Sequence, residues 1–182
     1  MPKSTRPRKK YRPKTGLILD TVSWVKEGFK PLGQHGTYLL DLKIANHGAM
    51  AALLQGTATP KDISALVAMS NIVESLQQMG FGSEYTGVAV DGRYALLKIA
   101  YRATEILRYT PTGEEIGMLN RLMELHDAQM EVITVADMQR GIDRAKAQIR
   151  DPKKVIKMPP IPEALRNPKD DKNDNHILYK AA

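Results

Sequence analysis

The sequence predicts an all-α protein: a compact bundle of five to six helices, with an extended basic arm before it and a proline-rich tail after it. Three observations carry the prediction. Apolar residues between positions 36 and 150 recur at three- and four-residue spacing. Thr-x-x-acid signals punctuate those runs where helices begin. The β-branched alternating runs that mark strands are missing from the same stretch. The chain of 182 residues divides by composition into an arm, 1–15, a helical body, 16–150, and a tail, 151–182.

The first expected helix spans 17–29 (LILDTVSWVKEGF). Leu17, Val22, Trp24, Val25 and Phe29 give it an apolar side, and Gly28 and Pro31 limit it. It holds the only tryptophan, which is expected to pack on the body. Residues 32–36 (LGQHG) read as a loop. The second helix covers 37–55 and takes its apolar positions from Leu39, Leu40, Ile44, Met50, Leu53 and Leu54, with Gly48 inside it as a point of close helix approach. In TATPKDI, Thr59 caps a third helix, Pro60 opens it and Asp62 closes the capping box. That helix runs to Met79, with Ile63, Leu66, Val67, Ser70, Val73, Leu76 and Gln77 on one side.

The fourth helix is expected over 83–109, its apolar side formed by Tyr85, Val88, Leu96, Leu97, Ala100, Ala103, Ile106 and Leu107. Gly87 and Gly92 weaken its first half, and Thr110-Pro111 stops it. Thr112 and Glu115 form the next box. The fifth helix carries a seven-residue repeat, Ile116, Met123 and Met130 with Leu119, His126 and Ile133, which suits a helix seam within one chain or between two. Thr134 and Asp137 repeat the box pattern, so either a sixth helix starts at Val135 or one long helix bends there before ending at Asp151-Pro152. Beyond 151, five prolines and the stretch NPKDDKNDN have a disordered composition, and HILYKAA reads as a tail with a small apolar cluster.

The net charge of +7 conceals a segregation. Residues 1–15 carry +7, residues 16–137 carry −5, residues 138–158 carry +5 and the remainder is neutral. An acidic body is therefore flanked by cations: Lys3, Arg6, Arg8, Lys9, Lys10, Arg12 and Lys14 on one side, and Arg140, Arg144, Lys153, Lys154 and Lys157 on the other. Proline and like-charge repulsion keep the first run extended. An extended polycation suits a polyanion, because each neutralised phosphate releases counterions whatever the base sequence.

Several classes are excluded. With no cysteine there is no disulfide scaffold, thiolate zinc site or thiol nucleophile. No Gly-x-Ser-x-Gly elbow or P-loop occurs. No run of 18 apolar residues exists to span a membrane, and the basic start lacks the apolar run of a signal peptide, so the expected location is the cytoplasm of a bacterial host or a virion. Neither cofactor nor metal is expected. His126, with Glu124, Asp127 and Glu131 beside it, is the one constellation that could hold a divalent ion or an acid–base pair. No Glu-x-x-His pair on another helix completes such a site, so a hydrogen-bonded polar core of Asn46, His47 and His126 is the preferred reading.

DLKIANHGAMAALLQGTAT, MELHDAQMEVITVADM and the leading RPRKKYRPK resemble segments of a group of small basic helical proteins from bacterial viruses, prophages and mobile elements. The resemblance covers most of residues 8–150 and implies an accessory protein of such an element. It implies no activity, cofactor or catalytic residue. Residue chemistry and resemblance together lead to the expectation of a non-enzymatic nucleic-acid-binding protein without strong sequence preference, able to self-associate through its body. The competing expectation is a protein-interaction module, a host-directed inhibitor or a virion assembly component, whose arms dock on an acidic protein.

Overall fold

The structure is a computed structural model that describes residues 28–34, 36–150, 155 and 157–166, with the side chains of 36–38 left aside. The first expected helix, apart from its last two residues, the arm and most of the tail lie outside the described residues. Within them the fold is an all-α bundle of five helices: α1 (Gly36–Leu54), α2 (Pro60–Gln78), α3 (Thr86–Ile106), α4 (Gly113–Val132) and α5 (Val135–Arg150). Among the described residues there is no strand, only one isolated bridge between Pro31 and Thr134.

Local chemistry sets the boundaries. The expected boxes at Thr59/Asp62 and Thr112/Glu115 are both formed, each with the Thr hydroxyl accepting from the acid's N–H and the carboxylate accepting from the Thr N–H. At the third, the Thr134 N–H donates to Asp137 Oδ2 at 2.9 Å and the Asp137 N–H to Thr134 Oγ1 at 3.2 Å. Ile133 just before it is extended (φ −83°, ψ 157°), so α5 is a separate helix rather than the bent end of α4. The stretch read as a loop is a 3₁₀ turn, Leu32–Gln34, with α1 starting at Gly36. Backbone bonds from Leu32 N to Ile133 O (3.0 Å) and from Val135 N to Lys30 O (3.2 Å) fasten this entrance strip to the α4–α5 corner. α3 starts at Thr86 after a 3₁₀ turn and stops at Ile106, three residues short of the expected end, because Leu107 turns left-handed (φ 53°) and its N–H closes on Ala103 O.

α2 touches all four other helices, and α3 and α4 form the other close pair. The main core joins Met50 and Leu53 of α1, Leu66 and Val73 of α2, Leu96 and Ile99 of α3, and Leu119 and Leu122 of α4. A second cluster under the corner holds Leu32, Leu76, Met130, Ile133 and Met138. Most of the seven-residue repeat of α4 is buried inside these clusters, so it is a seam within one chain. Two glycines set the helix spacing. A Cβ on Gly92 would stand 2.7 Å from Leu122 Cδ2, and one on Gly141 would stand 3.0 Å from Leu76 Cδ2. Gly48 does not mark a close approach: a Cβ there would meet nothing within 4 Å, because it faces outward.

Two expected apolar faces need correction. Of the residues assigned to the α1 core side, Leu40, Ile44 and Leu54 stand outside, 56%, 61% and 50% exposed. The buried side of α1 is Asn46, Ala49, Met50 and Leu53. On α3, Tyr85, Ile106 and Leu107 are exposed, and the buried line is Ala89, Gly92, Ala95, Leu96, Ile99 and Ala103. In both helices apolar residues occupy more than one side, so spacing alone could not select the face that packs.

Candidate functional site

Of the cations expected to contact phosphate, the structure describes Arg140, Arg144 and Lys157; Lys3, Arg6, Arg8, Lys9, Lys10, Arg12, Lys14, Lys153 and Lys154 lie outside the described residues. α5 carries the first two. Its inward side is Met138, Gly141 and Ala145, and Gly141 lets it lie close against α2. Its outward side bears Arg140, Arg144, Lys146 and Arg150, all exposed.

Their local bonds differ. Arg140 is hydrogen-bonded to Asp137 Oδ1, an i,i+3 pair, so its charge is balanced within the first turn. Burial works to raise the Asp137 carboxyl, but bonds from Thr134 and Arg140 together outweigh it and hold the group below the usual carboxylate range. Arg144 is different: its Nε donates to Gln78 Oε1 at 2.8 Å. The Gln148 amide donates to the same oxygen at 2.8 Å. A neutral acceptor fixes the guanidinium without cancelling its charge. Lys146 and Arg150 have no ion-pair partner among the described residues. Asp143 is the one exposed acid on this side, bound by Gln139 at 3.0 Å. Lys157 is exposed on the strip that follows.

The polar core was legible in part: Asn46 and His126 are buried, whereas His47, expected with them, is 53% exposed and lies outside the core. Asn46 Nδ2 lies 3.5 Å from His126 Nε2, and His47 Nε2 lies 2.9 Å from Asp127 Oδ2. Two successive residues of α1 thus meet two successive residues of α4. For the Asn46 amide to donate, Nε2 must accept, which puts the His126 proton on Nδ1. That nitrogen faces Asp127 Oδ1 at 3.7 Å, beyond hydrogen-bond distance, and both atoms are buried without a hydrogen-bond partner. Burial drives the His126 pKa down to about 4, against the opposing pull of the Asp127 charge. The imidazole is therefore neutral at pH 7 and serves as a core residue. Glu124 and Glu131 are exposed. Among the described residues, no group of three or more His, Asp or Glu side chains is placed to hold a metal ion.

Other buried polar contacts had no signal in the sequence. Arg102 grips Glu115 with two bonds, 2.9 and 2.7 Å, and also donates to Thr110 O at 2.5 Å. Burial raises the Glu115 carboxyl, yet the Arg102 and Thr112 bonds outweigh it and leave it below the usual range. Gln129 Nε2 donates to Val73 O and Phe81 O, closing the α2–α3 connection. These partners lie on different elements, and nothing in local spacing pairs them.

Among the described residues no helix is long and apolar enough to cross a membrane. Compared with known proteins, the chain matches no family model, no curated protein and no solved structure.

Proposed function

We propose that this chain is a non-enzymatic nucleic-acid-binding accessory protein of a phage or mobile element, holding the phosphate backbone through its arm, 1–15, and the basic segment 140–157. One observation carries the reading: α5 turns Arg144, Lys146 and Arg150 to solvent from a helix whose other side is locked onto α2. Exposed cations on a helix held against α2, next to further basic segments of the sequence, support contact with a polyanion. Phosphate contacts carry no base information, so the binding has little sequence preference.

The test is to delete residues 1–15 and compare the shift of duplex DNA, single-stranded DNA and RNA with that of the full chain. Weaker binding of at least one nucleic acid, uniform across base sequences, is the expected outcome. Unchanged binding, or none in either protein, contradicts it.

A second reading is favoured by a different observation. Val90, Tyr94 and Tyr101 stand on the outer side of α3, 54%, 53% and 54% exposed, with Lys98 Nζ 4.6 Å from the Tyr94 ring centre. Exposed tyrosines in a row suit a protein partner. A pull-down from host lysate that survives deletion of 1–15, with no nucleic-acid shift, selects that reading.

A further inference from the structure

We infer that the outward apolar face of α1 is the docking site for residues 17–29 of the same chain, laid antiparallel along it.

α1 carries apolar residues on every side, with Asp41 and His47 the polar residues on its exposed side. Only one side of it is covered. The other presents Leu40, Ile44, His47, Ala51 and Leu54 at steps of four, three, four and three, all exposed. Ala45 and Gly48 lie beside this row, also exposed, and nothing occupies the space over Gly48. Leaving large aliphatic side chains half in water over four turns is unfavourable by about 25 cal/mol for each Å² of apolar area.

The segment 17–29 fits that face in three respects. It places Val25, Val22 and Ile18 at steps of three and four, so an antiparallel match sets Val25 by Ile44, Val22 by His47 and Ile18 by Ala51. In the same register Trp24 falls over Ala45 and next to Gly48, the largest side chain against the smallest. Lengths agree: as helices, 17–29 is about 18 Å long and 40–54 about 21 Å.

The connection also fits. Gly28 has helical backbone, and residues 30–32 are fastened to 133–135, immediately before α1 begins. Residues 29–35 then form a helix–helix link of ordinary length, and antiparallel neighbours are what short links produce. Tethering raises the effective concentration of this occupant over a second copy or a foreign helix. Beyond residue 166 the large apolar side chains are only Ile177, Leu178 and Tyr179, too few for a face of five positions. Docking sets Thr15 by Leu54, so the basic arm starts from that end of α1.

Trp24 is the only tryptophan, which makes its emission a site-specific reporter in the full chain. The expected result is a blue-shifted emission, independent of protein concentration. Ile44→Glu and, separately, Leu40→Glu shift it to the red and raise the iodide quenching constant severalfold. Both positions are exposed, so helical circular dichroism outside the released segment is retained. Val132→Glu, at a 67% exposed apolar position of α4 outside the row, changes neither readout. Three outcomes overturn the proposal: Trp24 as accessible as free indole in the unaltered chain, Trp24 protected but indifferent to both substitutions, or protection that disappears on dilution together with a dimer, which assigns the face to a second copy.

Discussion

Helices α1 and α5 both pack against α2, and they turn opposite chemistries to solvent. α5 is amphipathic in the ordinary sense, with Met138, Gly141 and Ala145 inward and charged residues outward. Its pattern alone fixes its rotation. α1 has apolar residues on every side, so pattern cannot choose. Its rotation is selected by polar residues: Asn46 reaches buried His126, and His47 reaches Asp127. Turning α1 by one residue would separate both pairs and leave His126 buried without its Asn46 partner, at a cost of about 1–3 kcal/mol. The comparison teaches that a polar pair can register a helix whose hydrophobic pattern is silent.

The largest expected effect lies on the inward side of α1. Leu53 is fully buried, and Leu53→Ala destabilises the bundle by about 2–5 kcal/mol. Lys146→Ala, on the outward side of α5, changes stability by no more than about 0.5 kcal/mol. Urea midpoints of the two variants check the contrast, and equal losses would break it.

Next in size is the pH dependence from His126. Its pKa in the folded chain is about 4, below the 6.5 of an unperturbed imidazole, so only the unfolded chain takes up a proton between those values. Stability is complete above pH 6.5 and falls by about 3 kcal/mol as the pH drops to 4. Glu115 and Asp137, both held below their usual range, add their own losses only under the ordinary carboxylate range. Denaturation between pH 7 and 5 isolates the imidazole. His126→Gln should flatten that part of the profile, and an unchanged slope would remove His126 as its source.

A smaller effect is expected at Gly141. An added methyl meets fully buried Leu76 at 3.0 Å, and Gly141→Ala costs about 1 kcal/mol after the gain in helix propensity. A thermal melt that moves upward would mean that α5 rides more loosely on α2 than described.

Much of this architecture could be read from residues. The boxes at Thr59, Thr112 and Thr134 were legible because both partners lie within three positions. The Asn46 and His126 core was legible because polar residues interrupted apolar rows; that His47 stands outside it was not. The side of α1 that packs was not, since Leu40, Ile44 and Leu54 are as apolar as Met50 and Leu53. The Glu115 pairing with Arg102 was hidden because it joins two helices, and the Gly92 contact with Leu122 because propensity counts glycine only as a weakness. For the cationic site, α5 was legible as a basic helix, whereas the balance of Arg140 by Asp137 emerged only from geometry.

The proposed function stands on the exposed cations of α5 meeting phosphate. Its most direct measurement is the salt dependence of duplex binding for the full chain and for the triple variant Arg144→Ala, Lys146→Ala, Arg150→Ala. Each lost phosphate contact lowers the slope of log affinity against log salt by about 0.9, so the variant's slope should be shallower by about 2 to 3 with folding intact. Parallel lines for the two proteins, or an affinity that salt barely alters, would contradict the account.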